Sequence, residues 1–504
     1  MPRFFAILLA MTLARKILGN TAAQVFGRLL TALLAVVVVK ILTGALGAAG
    51  YGKYVFVYEV LAFAGAFADF GIFTIALREM SKNPAREKII FGNAVSLRLF
   101  SAAIFLTAIS VFFFFLPKYS GTVIPVSIAI AAVATFFVIL SGTFSAALQT
   151  RMKMHFSAIA LVIGKIFAVA AIFLIVKFFF PTDEKFPFYF LILAGAIGAF
   201  LTFLITAFFT KKFFPVRLFW DFSEIKKILV EAAPFGVALA LNVIYLKLDV
   251  ILISALLPPA IGDAQNGFYG VAVRIVDILL MIPIYFMNSV LPTLSARLSQ
   301  KQNPENLLQK SFLFLFSLGI SGGILLFLLA RPIASTISNP SFLATASRAG
   351  SDTAIQILSA FFPIAFLTMF FGFLLIATGR QKFLIFTNFF AVSINFLGNL
   401  FCIPRFGFVG AAAVSVASEI FLFFIMLFFS RKFLKFIFPF SEMGKIFFAA
   451  FFAGIFAFFT KNISENWGNL FQIILVSGIF FGIFFGILWK FKILSPEILA
   501  KFKK

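Results

Sequence analysis

One cysteine and one histidine stand in 504 residues. Cys402 alone excludes an intramolecular disulfide, and His155 alone excludes a histidine metal cluster, so no metal site is expected. Charge is scarce as well. Charged residues make up 12% of the chain, where soluble proteins carry about 25%. Acids are scarcer than bases, 18 Asp+Glu against 42 Lys+Arg. There is no Gly-x-x-x-x-Gly-Lys-Ser/Thr loop, which argues against ATP hydrolysis by this chain. No cofactor is expected beyond a coupling proton or sodium ion.

What fills the sequence is apolar. Hydrophobic residues are 62% and Phe alone supplies 80 positions, which suits lipid-facing surfaces. About fourteen stretches are long enough to cross a bilayer. They lie near 18–42, 54–77, 89–116, 122–148, 156–180, 188–210, 228–257, 267–295, 311–330, 354–378, 383–403, 409–429, 446–460 and 469–489. The thirteenth is short, with room to extend outward. The small, polar segment 332–350 reads as an external loop or surface helix. The chain is therefore expected to be an all-α polytopic membrane protein.

The net charge of +24 invites a nucleic-acid reading, but the positions of the bases oppose it. They concentrate in alternate short loops: Arg78, Lys82, Arg86 and Lys88; Arg151 and Lys153; Lys211, Lys212, Arg217, Lys226 and Lys227; Arg297, Lys301 and Lys310; Arg380 and Lys382; Arg431, Lys432, Lys435 and Lys445. Cytoplasmic loops of membrane proteins carry such an excess, which places both termini in the cytoplasm. The start Arg3–Leu13 has a basic residue and a short apolar core but no convincing small-x-small cleavage site. It reads as an interfacial start, with Arg15 and Lys16 cytoplasmic.

The chain also repeats. Gly52-Lys53-Tyr54 opens the second span and Gly267-Phe268-Tyr269 the eighth, and each of these spans ends near an Asn-Pro, Asn83-Pro84 and Asn303-Pro304. Six spans separate the copies, an even number, so the copies have the same orientation. This predicts one six-helix lobe over 1–215, a second over 216–435, and two extra spans with a basic tail over 436–504.

Charges within spans are expensive and mark functional positions. The cations are Arg28, Arg98, Lys165, Lys247 and Arg274. Arg suits phosphate because its planar fork donates two parallel hydrogen bonds and stays charged. Arg28, Arg98, Lys165 and Arg274 are the candidate substrate-binding residues. Asp277, Asp249, Asp69 and Glu59 are candidates for binding a coupling ion. Glu419, after Ser418, reads as a cap or a helix tie. Lys247 and Asp249 are two apart and face different ways on a helix, which favours separate partners. Pro283 and Pro292 are candidate hinges in the eighth span, since proline removes a backbone donor. The patch Gly319-Ile320-Ser321-Gly322-Gly323 reads as a close helix-packing surface.

Several motifs are similar to those of one family. Gly379-Arg380-Gln381, Asn395, Asn399, Pro404, Gly407-Phe408-Val409-Gly410-Ala411-Ala412 and Ser418-Glu419 resemble the tenth-to-twelfth spans of polysaccharide flippases. Gly19-Asn20-Thr21 and Gly50-Tyr51-Gly52-Lys53-Tyr54 resemble that family's opening. Its superfamily also holds multidrug extrusion proteins and the lipid II flippase. The resemblance implies a V-shaped, two-lobed transporter, acting as a monomer in the inner membrane. It would move undecaprenyl-pyrophosphate-linked oligosaccharide to the outer leaflet, alongside membrane lipids, glycosyltransferases and a polysaccharide polymerase. In the lipid II branch, arginines on the first and eighth spans are thought to meet the pyrophosphate, and the residues matching by span here are Arg28 and Arg274. That branch places an acid adjacent to the eighth-span Arg; here Asp277 lies three residues on.

Three alternatives remain at this stage. One is a lipid II flippase. Another is a multidrug or cation antiporter, for which an acid-dominated cavity is expected. The last is a membrane glycosyltransferase or ligase, which would need a sizeable external domain or convergent acids. The longest outer loop carries only Asp352.

Overall fold

A computed structural model describes residues 2–180, 185–214 and 217–491, with described side chains beginning at Gln24. The side chains of Arg3–Leu13, Arg15, Lys16 and Asn20, and the whole basic tail beyond residue 491, lie outside them.

The described chain is helical, with one isolated β-bridge, Thr345 to Arg348, and no strand. In order the helices are α1 (Pro2–Asp69), α2 (Ile72–Lys82), α3 (Glu87–Phe115), α4 (Ile124–Thr150), α5 (Met154–Phe179), α6 (Lys185–Lys211), α7 (Phe222–Leu256) and α8 (Pro259–Ser299). They continue as α9 (Glu305–Leu328), α10 (Ala330–Ile337), α11 (Ser351–Ser359), α12 (Phe361–Ala377), α13 (Lys382–Phe433), α14 (Phe440–Ile463) and α15 (Asn469–Lys490). Among the described residues eleven stretches are long and apolar enough to cross a membrane, and α11 with α12, bent by 47°, makes a twelfth. Two of the eleven, Phe26–Lys82 and Lys382–Phe433, are 57 and 52 residues long. Each has length for two crossings. Each is also kinked at a glycine with positive φ, Gly47 at 62° and Gly407 at 58°. Counting both twice adds two to twelve and gives the fourteen crossings expected.

The kinks have local causes. At Gly407 a Cβ would stand 1.9 Å from Gln265 Oε1, the atom that accepts the Phe408 N–H at 2.8 Å. So the kink needs a residue that tolerates φ > 0 and leaves room for a side chain from α8. A further break was not anticipated. The span expected over 54–77 stops at Asp69, turns through Phe70 (φ 38°) and Gly71 (φ 76°), and resumes as α2. Gly236 of α7 fits against that turn, where a Cβ would meet the Phe70 carbonyl at 2.3 Å. By contrast, α7 runs through Pro234 and α8 through Pro283 and Pro292. Pro363 sits in the first turn of α12, just after the bend, where its missing N–H costs least. Gly319 and Gly323 of α9 pack against this bend, at Pro363 Cα and the Ser359 carbonyl, so the small patch does permit a close approach.

The chain divides into two compact units, residues 1–45 with 53–247, and residues 46–52 with 248–504. The first unit is centred on Ile75, Phe91, Ala94, Phe144 and Ala147, with Phe214 and Ala232 closing the cluster. In the second unit α14 presents Ala449, Ala450, Ala453 and Ala457 to Phe480, Phe484 and Leu488 of α15. Small residues allow such contact where water drives nothing together.

Gly52 and Gly267, the glycines of the repeated motif, meet within the second unit. A Cβ on Gly52 would lie 1.7 Å from the Asp263 carbonyl, and one on Gly267 2.0 Å from the Ala48 carbonyl. Both obstacles are backbone. Gly52→Ala is therefore expected to destabilise the folded protein by about 1–3 kcal/mol, read as a lowered midpoint of thermal unfolding in detergent. An unchanged midpoint would mean that the crossing has slack.

Candidate functional site

Helices α1, α3, α4, α5, α7, α8 and α13 carry polar groups at depths where only apolar ones are cheap. In the first unit, Arg28 is exposed on α1, one residue past Gly27, whose face lies on Ala158 of α5. Lys165 is half-buried on α5, next to Gly164, where α5 crosses α6 at Gly198 and Thr202.

Arg98 differs. Its side chain is 4% exposed, ion-paired to Asp69, and donates to Thr143 Oγ1 at 2.8 Å. Its guanidinium also lies 5.8 Å from the centre of the Phe73 ring. The structure thus places this candidate ligand and this candidate coupling acid against each other, tying α1, α3 and α4 together. Breaking a buried pair on one side strands the other charge. Arg98→Gln is expected to cost about 3 kcal/mol of stability, and Asp69→Asn in the same chain to restore most of it. Unfolding by denaturant in detergent measures both. A double variant no more stable than Arg98→Gln would contradict a tie.

Glu59 is likewise engaged. Lys247 Nζ lies 3.1 Å from its Oε2, joining α7 to α1. Nearer the basic loops, Arg78 pairs with Glu231 and Arg86 with Glu224, both on α7. These loops therefore also pin the first part of α7 within its own unit.

In the second unit, Arg274 and Asp277 face each other along α8 at 3.9 Å, with side chains 33% and 27% exposed. That ion pair is long, and both side chains are part-exposed. The chain enters the second unit at Leu248, and Asp249 takes partners of its own. It accepts hydrogen bonds from Tyr269 Oη at 2.6 Å, from Asn399 Nδ2 at 2.8 Å, and from Ser415 Oγ. Asn399 Nδ2 also donates to Asn395 Oδ1 at 3.0 Å. Among the described residues no Lys or Arg pairs with Asp249. Asn399 Oδ1 and Asn395 Nδ2 are buried with no hydrogen-bond partner. The result is a buried acid among neutral donors, with a spare oxygen beside it. Glu419 is buried nearby in sequence, on the same helix as Ser415.

The sequence marked Asp249 as a span acid and Asn395, Asn399 and Tyr269 as motif residues, but did not join them into one shell. Asn395 and Asn399 are four apart and share a helix face, a signal that was readable. Tyr269 stood in the repeated motif, but nothing in the sequence marked Ser415. Among the described residues, no group of three or more His, Cys, Asp or Glu is placed to hold a metal ion.

The family model for polysaccharide biosynthesis proteins matches residues 17–298, more than half of the chain. The chain belongs to this family. No curated protein matches it in sequence. Solved structures agree on the fold of this polysaccharide biosynthesis protein. The lipid II flippase MurJ in an inward closed conformation aligns with TM-score 0.71 and 16% identity, over 95% of this chain and 100% of that one. An inward-facing multidrug resistance MATE family transporter of the MOP superfamily gives 0.63 at 12% identity, over 82% of this chain and 97% of that one. A MOP-superfamily transporter from Pyrococcus furiosus, described as having a binding pocket of reverse polarity, gives 0.57 at 14% identity, over 83% of this chain and 95% of that one. The protein is thus a multi-pass membrane protein whose fold is similar to that of MurJ and the MATE transporters.

Proposed function

We propose that this protein carries undecaprenyl-pyrophosphate-linked oligosaccharide from the cytoplasmic to the outer leaflet of the inner membrane by alternating access. It makes and breaks no glycosidic bond. Glycosyltransferases on the cytoplasmic side supply its substrate and a polymerase takes the product. Both termini face the cytoplasm, by the bias of the basic loops. The two like-oriented six-span repeats, 1–215 and 216–435, are its proposed lobes, and the spans of 436–504 are additional to them.

The observation that carries this reading is Arg274. It is a permanent cation within a span, its pair with Asp277 is long, and a third of its side chain is exposed. A pyrophosphate offers such a guanidinium two parallel, charge-assisted hydrogen bonds. Arg28, exposed on α1, and Lys165, half-buried on α5, are proposed substrate contacts of the first unit. Arg98 is assigned instead to holding α1 and α3 together. For coupling we favour Asp249 over Asp69, Glu59 and Asp277, because each of those three has a basic partner. Its carboxylate with Asn395 Oδ1, Asn399 Oδ1 and Ser415 Oγ is an oxygen-rich setting for a proton or a hard cation such as sodium.

Binding by the purified protein tests the substrate class. Undecaprenyl-pyrophosphate-linked oligosaccharide should bind to wild type and compete with lipid II for one site, while a cationic dye should not. Arg28→Ala/Arg274→Ala should weaken binding. Tight dye binding with no competition from either lipid would support the antiporter reading.

A further inference from the structure

On the first unit lies a groove that the transport reading leaves unused. Between α6 and α7 the chain runs without helix through residues 217–221. This strap crosses α3 where α3 has no side chain. A Cβ on Gly92 would stand 2.4 Å from the Arg217 carbonyl and 2.4 Å from Phe219 Cδ2. One residue on, the buried Asn93 accepts the Asp221 backbone N–H at 2.7 Å. The strap is therefore fixed to α3 and not merely laid over it.

Beside it is a groove of about 520 Å³, lined by Ser96, Leu99, Phe100, Leu218, Phe219 and Trp220. Leu218, Trp220 and Phe222 are exposed, and the Trp220 ring packs edge-on to Phe100 at 5.6 Å and to Phe222 at 6.1 Å. Tryptophan and other rings at the ends of spans belong to the headgroup level of a bilayer. The flanks are basic. Lys211, Lys212, Arg217, Lys226 and Lys227 are all exposed. Of the acids close by in sequence, Asp221 caps Ser223 at 2.9 Å and Glu224 is committed to Arg86.

We infer that this groove binds an anionic phospholipid of the adjacent leaflet. An acyl chain lies against Phe100, Leu218 and Trp220, and the phosphate sits among Arg217 and the neighbouring lysines. The apolar lining selects a chain, and the positive flank selects an anionic headgroup over a zwitterionic one.

Trp220 reports on this directly. Trp467→Phe/Trp489→Phe leaves it as the sole tryptophan. The protein is reconstituted in phosphatidylcholine vesicles holding the same minor fraction of brominated phosphatidylglycerol or brominated phosphatidylcholine. The brominated phosphatidylglycerol should quench Trp220 several-fold more effectively. Arg217→Gln/Lys226→Gln, both at exposed positions, should abolish that preference, since ~1 kcal/mol per surface charge is worth about fivefold for each cation removed. Equal quenching by the two lipids, quenching by neither, or a preference that survives the double substitution would overturn the site. None of these outcomes bears on the transport reading.

Discussion

Arg274→Ala is expected to reduce translocation of lipid-linked oligosaccharide at least about thirtyfold, equivalent to ~2 kcal/mol, in a protein that still inserts and folds. The figure sits at the low end for loss of a hydrogen-bonded charge because a third of the side chain is exposed. Two further variants separate ligand binding from helix pairing. Arg274→Lys keeps the charge and loses the planar fork, so it should retain partial activity. Arg274→Ala/Asp277→Asn removes both partners of the pair, and should stay as inactive as Arg274→Ala. Recovery in that double variant would show that Arg274 matters only for neutralising Asp277. Flipping in proteoliposomes, normalised to folded protein, measures all three.

The second large effect is expected at Asp249. Asp249→Asn keeps the size of the side chain and removes its charge. Hydrogen bonds to a charged group are worth about 1.5–3 kcal/mol each, so some loss of stability is expected from the bonds to Tyr269, Asn399 and Ser415. That loss alone does not identify a coupling site. The distinguishing readout is the response to an imposed proton or sodium gradient. Wild-type translocation should rise with one of these gradients, and Asp249→Asn should turn over at a rate indifferent to both. An Asp249→Asn protein that still follows the gradient would move coupling elsewhere.

The spans were legible because each is an uninterrupted apolar run of crossing length. Stretches read as 89–116 and 469–489 appear as Glu87–Phe115 and Asn469–Lys490, and the short thirteenth lengthens to Phe440–Ile463. The break after Asp69 was not legible. Residues around it stay apolar and contain no proline, and the turn depends on Gly236 from α7 and on Arg98 taking the Asp69 carboxylate. Pairing explains the site as well. Arg274 and Asp277 share a helix, so their contact follows from spacing. Arg98 and Lys247 read as isolated cations because their acids sit on another helix, far off in sequence. The polar shell of Asp249 shows the same limit, since α7, α8 and α13 each contribute to it.

The most direct measurement is translocation by the purified protein in sealed vesicles, with undecaprenyl-pyrophosphate-linked oligosaccharide supplied on one face. The assay detects sugar that becomes reachable by an impermeant probe on the other face. Flipping of this lipid by wild type, its collapse in Arg274→Ala, and no transport of a cationic dye are the results predicted here. Dye transport without lipid flipping, or full flipping by a folded Arg274→Ala protein, would contradict it.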